Sequence, residues 1–233
     1  MTGAAPQAAS RRRRGAALVL LSFAAGTMDA IAFLALGEVF TSAMSGNTIL
    51  LGLALGQGRL AAAERSLAAF AGYVVGVAGA AVTLRAPGAG IRRTLGIELL
   101  LLAVFAGWWT ASGGAKGPGE LYGLIILSAV AMGLQGGIGR AMGVSGVSTI
   151  VVTSTLTAIV GGLAERALAR QRPLAPPVTR QQTAAFAAYL VSAVIGGVAM
   201  WSGWLVALPF VPFAAVLALW LALQSALVRL EPD

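Results

Sequence analysis

The polar residues of this chain are gathered into short gaps, and the apolar residues between them run in blocks long enough to cross a bilayer. Eight apolar segments stand out, at roughly 15–36, 39–57, 66–84, 94–112, 121–139, 147–164, 183–202 and 205–227. One crossing needs about 20 apolar residues. From Gln181 to Val228 no side chain is charged, so that stretch must fold back as two spans. Its hairpin should turn near Ser202-Gly203, and Pro209 and Pro212 should kink or delay the last helix. The second and sixth segments are short and polar at their starts. They read as half-helices entered through a loop as readily as full spans.

The pattern predicts an all-α, polytopic transmembrane bundle of seven or eight apolar segments. It divides into a basic tail (1–14), a first transmembrane half (15–112), a connecting loop (113–120), a second half (121–228) and a C-terminal tail (229–233). Residues 1–10 are small and polar and read as a disordered tail. A signal peptide cleaved after Ala30-Ile31-Ala32 is the competing reading of the N-terminus; the apolar run is too long for it and contains Asp29. Composition agrees with a membrane protein. Hydrophobic residues make up 58% of the chain, charged residues 10%, and mean hydropathy is +0.86, against about 25% charged residues in soluble domains.

The net charge of +8 would suggest nucleic acid in a soluble protein. Here the arginines flank apolar runs and report topology instead, so no nucleic-acid partner is expected. With eight full crossings and a cytoplasmic N-terminus, Arg11–Arg14, Arg59, Arg65, Lys116, Arg166, Arg170, Arg172, Arg180 and Arg229 fall inside. Arg85, Arg92, Arg93 and Arg140 fall outside. The bias favours that orientation, and the 85–93 loop opposes it. The chain lacks cysteine and histidine, so a proton relay would have to use carboxylates, water or backbone.

The segment that organises the rest is Ala25–Leu55. It holds a lone carboxylate, Asp29, in an apolar run, then an interruption at Gly37-Glu38, then the polar clusters Thr41-Ser42 and Ser45-Gly46-Asn47-Thr48. A carboxylate at the centre of a spanning helix costs about 2.5–3.5 kcal/mol on insertion scales, so Asp29 should face a packed interior or a wet cavity. Residues 131–164 repeat this layout. Gly37 falls opposite Gly143 and Asp29 opposite Gln135 at an offset of 106, and Ser45-Gly46-Asn47 falls opposite Thr153-Ser154-Thr155 at an offset of 108. If all eight segments cross, the halves are parallel; if the second and sixth do not, they are inverted, and transporters use both arrangements.

Three groups of residues carry a family resemblance: Gly26-Thr27-Met28-Asp29-Ala30, Phe40-Thr41 and Met44-Ser45-Gly46-Asn47 in the first half. In the second half the matching residues are Gly133-Leu134-Gln135-Gly136, Arg140 and Thr153-Ser154-Thr155-Leu156-Thr157. With these motifs, residues 15 to 227 resemble the YoaK-like family of bacterial inner-membrane proteins, a domain of unknown function. The resemblance implies a bacterial inner-membrane location and no particular substrate. Ser45 stands where that family has threonine, Gly136 where it has asparagine, and Ser154 where it has glycine.

Each candidate residue has a functional and a structural reading. Asp29 is read as a proton or cation site, or as the cap of a broken helix or a partner of Arg140. Arg140 is read as an anion contact or an interfacial anchor. Ser45, Asn47 and Thr48 could bind a substrate or start a half-helix; Thr153, Ser154, Thr155 and Thr157 could do the same in the second half. Hydroxyls bonded back to helix carbonyls are the alternative. Gln135 sits opposite Asp29. Glu98, after Arg92-Arg93, reads as an interfacial ion pair in preference to a coupling site, and Trp108, Trp109, Trp201 and Trp204 read as interface-belt aromatics. Glycines four apart (Gly52/Gly56, Gly72/Gly76, Gly133/Gly137, Gly139/Gly143) let helices approach closely and offer faces for a homodimer.

Enzyme motifs are missing: there is no P-loop, histidine metal cluster or Gly-x-Ser-x-Gly elbow. The expectation is therefore no enzyme, no metal and no cofactor, with the lipid bilayer and an unidentified small solute or ion as partners. The leading expectation is a small-solute transporter with its central site at the two broken-helix clusters. The alternatives are a non-transporting or lipid-interacting scaffold and a channel.

Overall fold

The structure is a computed structural model that describes residues 4–85, 90–142, 156–157, 160–162, 164 and 180–228. Among them seven helices are delimited: α1 (Ala4–Ala35), α2 (Met44–Gly56), α3 (Leu60–Thr83), α4 (Gly90–Ser112), α5 (Pro118–Ala141), α6 (Arg180–Trp201) and α7 (Phe210–Val228). Five stretches, Gly15–Ala35 of α1, α3, α4, α5 and Gln181–Trp201 of α6, are long and apolar enough to cross a membrane, and α2 and α7 are shorter apolar helices. Large apolar side chains such as Val75, Val82, Leu100 and Val194 lie exposed, as expected of surfaces that meet lipid instead of water. The sixth predicted segment, 147–164, lies largely outside the described residues.

Two boundaries differ instructively from the sequence reading. The expected disordered tail is helical from Ala4, because its alanines, glutamine and arginines are strong helix formers and Pro6 falls in the first turn, where proline is tolerated. The last helix starts late, at Phe210, directly after Pro209. Local capping explains other ends. At the start of α5 the Glu120 carboxylate accepts from the backbone N–H of Lys116 at 2.7 Å and of Gly117 at 3.2 Å, and Pro118 occupies the first turn. Gly37 (φ 83°) and Glu38 (φ 64°) both take the left-handed conformation that stops α1.

The helices associate as two tight parallel pairs, α3 with α5 and α1 with α6. In the first, a β-carbon on Gly72 would lie 3.0 Å from the Ile126 carbonyl oxygen, one on Gly76 would lie 2.2 Å from that of Val130, and Gly137 abuts Ala80. In the second, Gly15 meets Gln181, Gly26 meets Tyr189 and Ser192, and Gly196 meets Ala30. Residue numbers rise together in each pair, so the partners point the same way. The glycine pairs Gly72/Gly76 and Gly133/Gly137 are thus used inside the chain, whereas Gly52 and Gly56 on α2 face open space. The joint core is assembled from α1, α4, α5 and α7, around Leu21, Met28, Leu95, Phe105, Ile125 and Val216.

The second segment does not cross. A 13-residue helix rises only about 20 Å at 1.5 Å per residue, less than the ~30 Å hydrocarbon core. Its contacts agree: Arg65, near the start of α3, donates through Nε to the Gly37 carbonyl just beyond α1 at 3.0 Å. The end of α1 and the start of α3 therefore share one end of the bundle. The start of α5 joins them there, since the Tyr122 hydroxyl donates to Glu64 at 3.0 Å. The chain leaves α1, dips back into the bundle, and climbs out along α2 to the same end. Arg59 and Arg65 consequently lie opposite to Arg11–Arg14, which corrects the arrangement expected from eight full crossings.

Candidate functional site

The dip after α1 is anchored on Asp29. This carboxylate is buried, 3% exposed, on the face of α1 that meets α6. Its Oδ1 accepts from the Thr41 N–H at 2.7 Å, the Ser42 N–H at 2.7 Å and the Thr41 hydroxyl at 3.3 Å. Its Oδ2 accepts from the Ser42 hydroxyl at 2.6 Å and the Tyr189 hydroxyl of α6 at 2.7 Å. Five donors from two other segments converge on one side chain, which matches the four or so lone-pair positions of an ionised carboxylate. Bonds to a charged acceptor contribute about 1.5–3 kcal/mol each, enough to offset the cost of placing the group in a span.

A second side chain fixes the same loop. The Asn47 amide, buried on α2, accepts from the Phe40 N–H at 2.9 Å and donates back to the Phe40 carbonyl. The amide thus satisfies both backbone polar groups of Phe40, which lies outside any helix. The Phe40 ring stacks on Phe33 with centroids 5.2 Å apart, and it lies over Gly46, where a β-carbon would come within 2.8 Å of it. Asn47 is therefore no helix cap; the N-cap of α2 is Ala43, without a side-chain cap bond.

The other expected site residues separate. Ser45 and Thr48 are exposed on α2, and Thr48 bonds back to the Met44 carbonyl at 2.9 Å. Arg140 is exposed at the far end of α5, and among the described residues it forms no ion pair with Asp29, whose partners are those above. Gln135 is buried in α5 and donates to the Leu21 carbonyl of α1 at 2.9 Å, while its Oε1 has no hydrogen-bond partner among the described residues. Thr153, Ser154 and Thr155 lie outside the described residues; Thr157 is exposed.

Two readings of the sequence change. Glu98 is no interfacial ion pair with Arg92 or Arg93: it is 0% exposed, and neither carboxylate oxygen has a hydrogen-bond partner among the described residues, while Arg92 and Arg93 are exposed. Trp109 is 2% exposed and stacked on Phe105, a core residue and not part of an interface belt. Trp201 and Trp204 are exposed at the α6–α7 turn, as a belt requires. Thr41 and Ser42 were visible as a polar pair, but their role as donors to Asp29 was not. Tyr189 had only a weak signal, one of several hydroxyls in a mostly apolar run. Among the described residues no group of three or more acidic, histidine or cysteine side chains is placed to hold a metal ion.

Comparison with known proteins agrees with the membrane architecture. Residues 17–223 match a family described as "Protein of unknown function (DUF1275)". The chain is 34% identical to the UPF0700 transmembrane protein YoaK of Bacillus subtilis (strain 168) over 159 residues, covering 66% of this chain and 68% of that one. No solved structure matches it.

Proposed function

Taking as premise that this chain belongs to the DUF1275 family of multi-pass membrane proteins, we propose that it is a transporter of a small solute, built from two related halves of opposite orientation in a bacterial cytoplasmic membrane. The observation that carries the proposal is the reciprocal pairing of helices. α1 pairs with α6, and α5 pairs with α3, as expected if α1 corresponds to α5 and α3 to α6. The contacts correspond residue by residue. Gly26 meets the Tyr189 carbonyl and Gly133 the Tyr73 carbonyl; Gly26 meets Ser192 and Gly133 meets Gly76; Ala30 meets Gly196 and Gly137 meets Ala80. One shift, Gly26 to Gly133, relates α1 to α5, and another, Tyr73 to Tyr189, relates α3 to α6.

α2 does not cross, and the two parallel pairs put the end of α5 and the start of α6 at the same end of the bundle; with α7, whose 19 residues rise about 28 Å, counted as a crossing, each half has three and the halves are inverted. Charge supports this. Arg11–Arg14, Arg85, Arg92, Arg93, Arg140 and Arg180 belong to one end, against Arg59, Arg65 and Lys116 at the other. Arg85, Arg92 and Arg93, anomalous with eight crossings, now fall on the arginine-rich side, which is the cytoplasmic one. Inverted-repeat transporters place their sites near mid-membrane at discontinuous helices, and Asp29 with its re-entrant loop is such a place. Under the structural register Asp29 corresponds to Gly136, which lies against the Tyr73 hydroxyl. The polar centre is then one-sided, with its carboxylate in the first half. Release of the Ser42 and Tyr189 hydroxyls would offer a solute two donors beside a carboxylate.

The runner-up, a scaffold, draws on the same geometry. Five donors satisfy Asp29 from within the chain, so a purely structural latch needs no ligand. Thermal stability of the purified protein against a panel of metabolites and ions separates the two. A ligand at 100 times its dissociation constant adds about 2.7 kcal/mol. The transport reading predicts such a hit in the wild type and its loss in Asp29→Asn; a wild type that responds to nothing in the panel, with Asp29→Asn changing at most its stability, supports the scaffold.

A further inference from the structure

Glu98 lies two turns into α4, buried on a helix that packs chiefly on α5 and α7 and also touches α3. Both of its oxygens are buried and lack a hydrogen-bond donor among the described residues. Its neighbours on the inner face of α4 are Thr94, Leu95, Leu102 and Phe105. Of these only Thr94 is polar, and its hydroxyl is engaged with the Gly90 carbonyl at 2.8 Å and with Thr83 at 2.8 Å. This is the reverse of Asp29, whose negative charge is met by five donors.

Among the described residues no countercharge reaches it. On α3, Glu64 binds Tyr122 of α5, Arg65 binds the Gly37 carbonyl, and Tyr73 faces Gly136. On α5, Glu120 caps its own helix and Arg140 is exposed. α7 carries no ionisable side chain over Phe210–Val228. A bare carboxylate in such surroundings is unfavourable by several kcal/mol, up to tens in an idealised medium. A metal ion would need several oxygen ligands, six or more for the hard cations; the other side-chain oxygen on the inner face of α4 is that of Thr94, already engaged with Gly90 and Thr83.

We propose that Glu98 is a proton-binding site: the carboxyl is held protonated and neutral in the closed core. Entry of water between α4, α5 and α7 would let its O–H bond break, pass the proton to water and leave a solvated carboxylate. The site stands whether or not the protein transports a solute; with transport, it makes the proton the coupling ion and assigns coupling to α4, apart from the Asp29 loop.

The test is infrared spectroscopy of the full-length protein in lipid at neutral pH, on wild type and Glu98→Gln, with thermal unfolding of both. The C=O stretch of a protonated carboxyl is expected in the wild type and absent from Glu98→Gln. The variant should unfold at nearly the same temperature, because glutamine resembles the neutral acid in shape and charge. The same protonated-carboxyl band in both proteins, or none in the wild type, would overturn the proposal. So would a Glu98→Gln protein that fails to fold. A sodium- or potassium-dependent rise in unfolding temperature that Glu98→Gln abolishes would replace the proton by a metal cation. The solute panel above is independent of these outcomes.

Discussion

Asp29→Ala is expected to lose about 2–6 kcal/mol of stability, because it strands the Thr41 and Ser42 backbone N–H groups inside the bundle at about 1–3 kcal/mol each. It also removes the acceptor of three hydroxyls. Those hydroxyls can rotate; the two amides cannot. Asp29→Asn should therefore behave differently. Its carbonyl oxygen can keep both amide bonds, and its NH2 can donate to the Ser42 and Tyr189 hydroxyls, which turn to accept. Its loss should be about 1–2 kcal/mol, the difference between charged and neutral hydrogen bonds. Thermal unfolding in one detergent ranks the three proteins. Equal losses for Asn and Ala would mean that the charge itself, and not the geometry of acceptance, holds the loop.

The second large effect concerns glycine. A β-carbon on Gly76 would sit 2.2 Å from the Val130 carbonyl oxygen, and one on Gly133 would sit 2.3 Å from that of Tyr73. These neighbours are backbone and cannot swing aside, so α3 and α5 must separate along their length. Overpacking that a side chain can relieve costs about 1–3 kcal/mol; Gly76→Ala and Gly133→Ala should each exceed that and lower the yield of folded protein. Gly52→Ala is the contrast. Nothing lies within 4 Å of its missing β-carbon, and alanine should gain about 1 kcal/mol in helix propensity. Comparable losses at all three positions would show that glycine here serves flexibility and not close approach.

What the sequence made legible follows from what is expensive in a membrane. Asp29 and Asn47 stood out because a polar side chain in an apolar run needs a partner, and both proved buried at the break. Gly37-Glu38 was visible as an interruption, and both residues adopt positive φ. The partners were not legible: Tyr189 lies 160 positions from Asp29, and only the packing of α6 on α1 brings it there. Glu98 was misjudged by proximity along the chain. At 100° per residue, a 3.6-residue turn places Arg92 and Arg93 on other faces, while Thr94 and Leu95 share its own. The second segment left two readings open, a half-helix and a full span, because its apolar length alone does not show that its first residues, 39–43, fold back beside α1 before any helix begins.

Transport by inverted halves requires alternating access to the Asp29 loop from the two faces of the membrane. The chain has no cysteine, so single cysteines can be placed without a background. Ala43→Cys sits at the start of α2, beside the donors to Asp29; Lys116→Cys sits exposed at the opposite end from the arginine-rich tail. The measurement is labelling by a membrane-impermeant maleimide applied from either face of oriented vesicles. Transport predicts that Ala43→Cys reacts from both faces, while Lys116→Cys reacts from the outer face alone. Labelling of Ala43→Cys from neither face, or from one only, would contradict it and leave the Asp29 loop as a static latch.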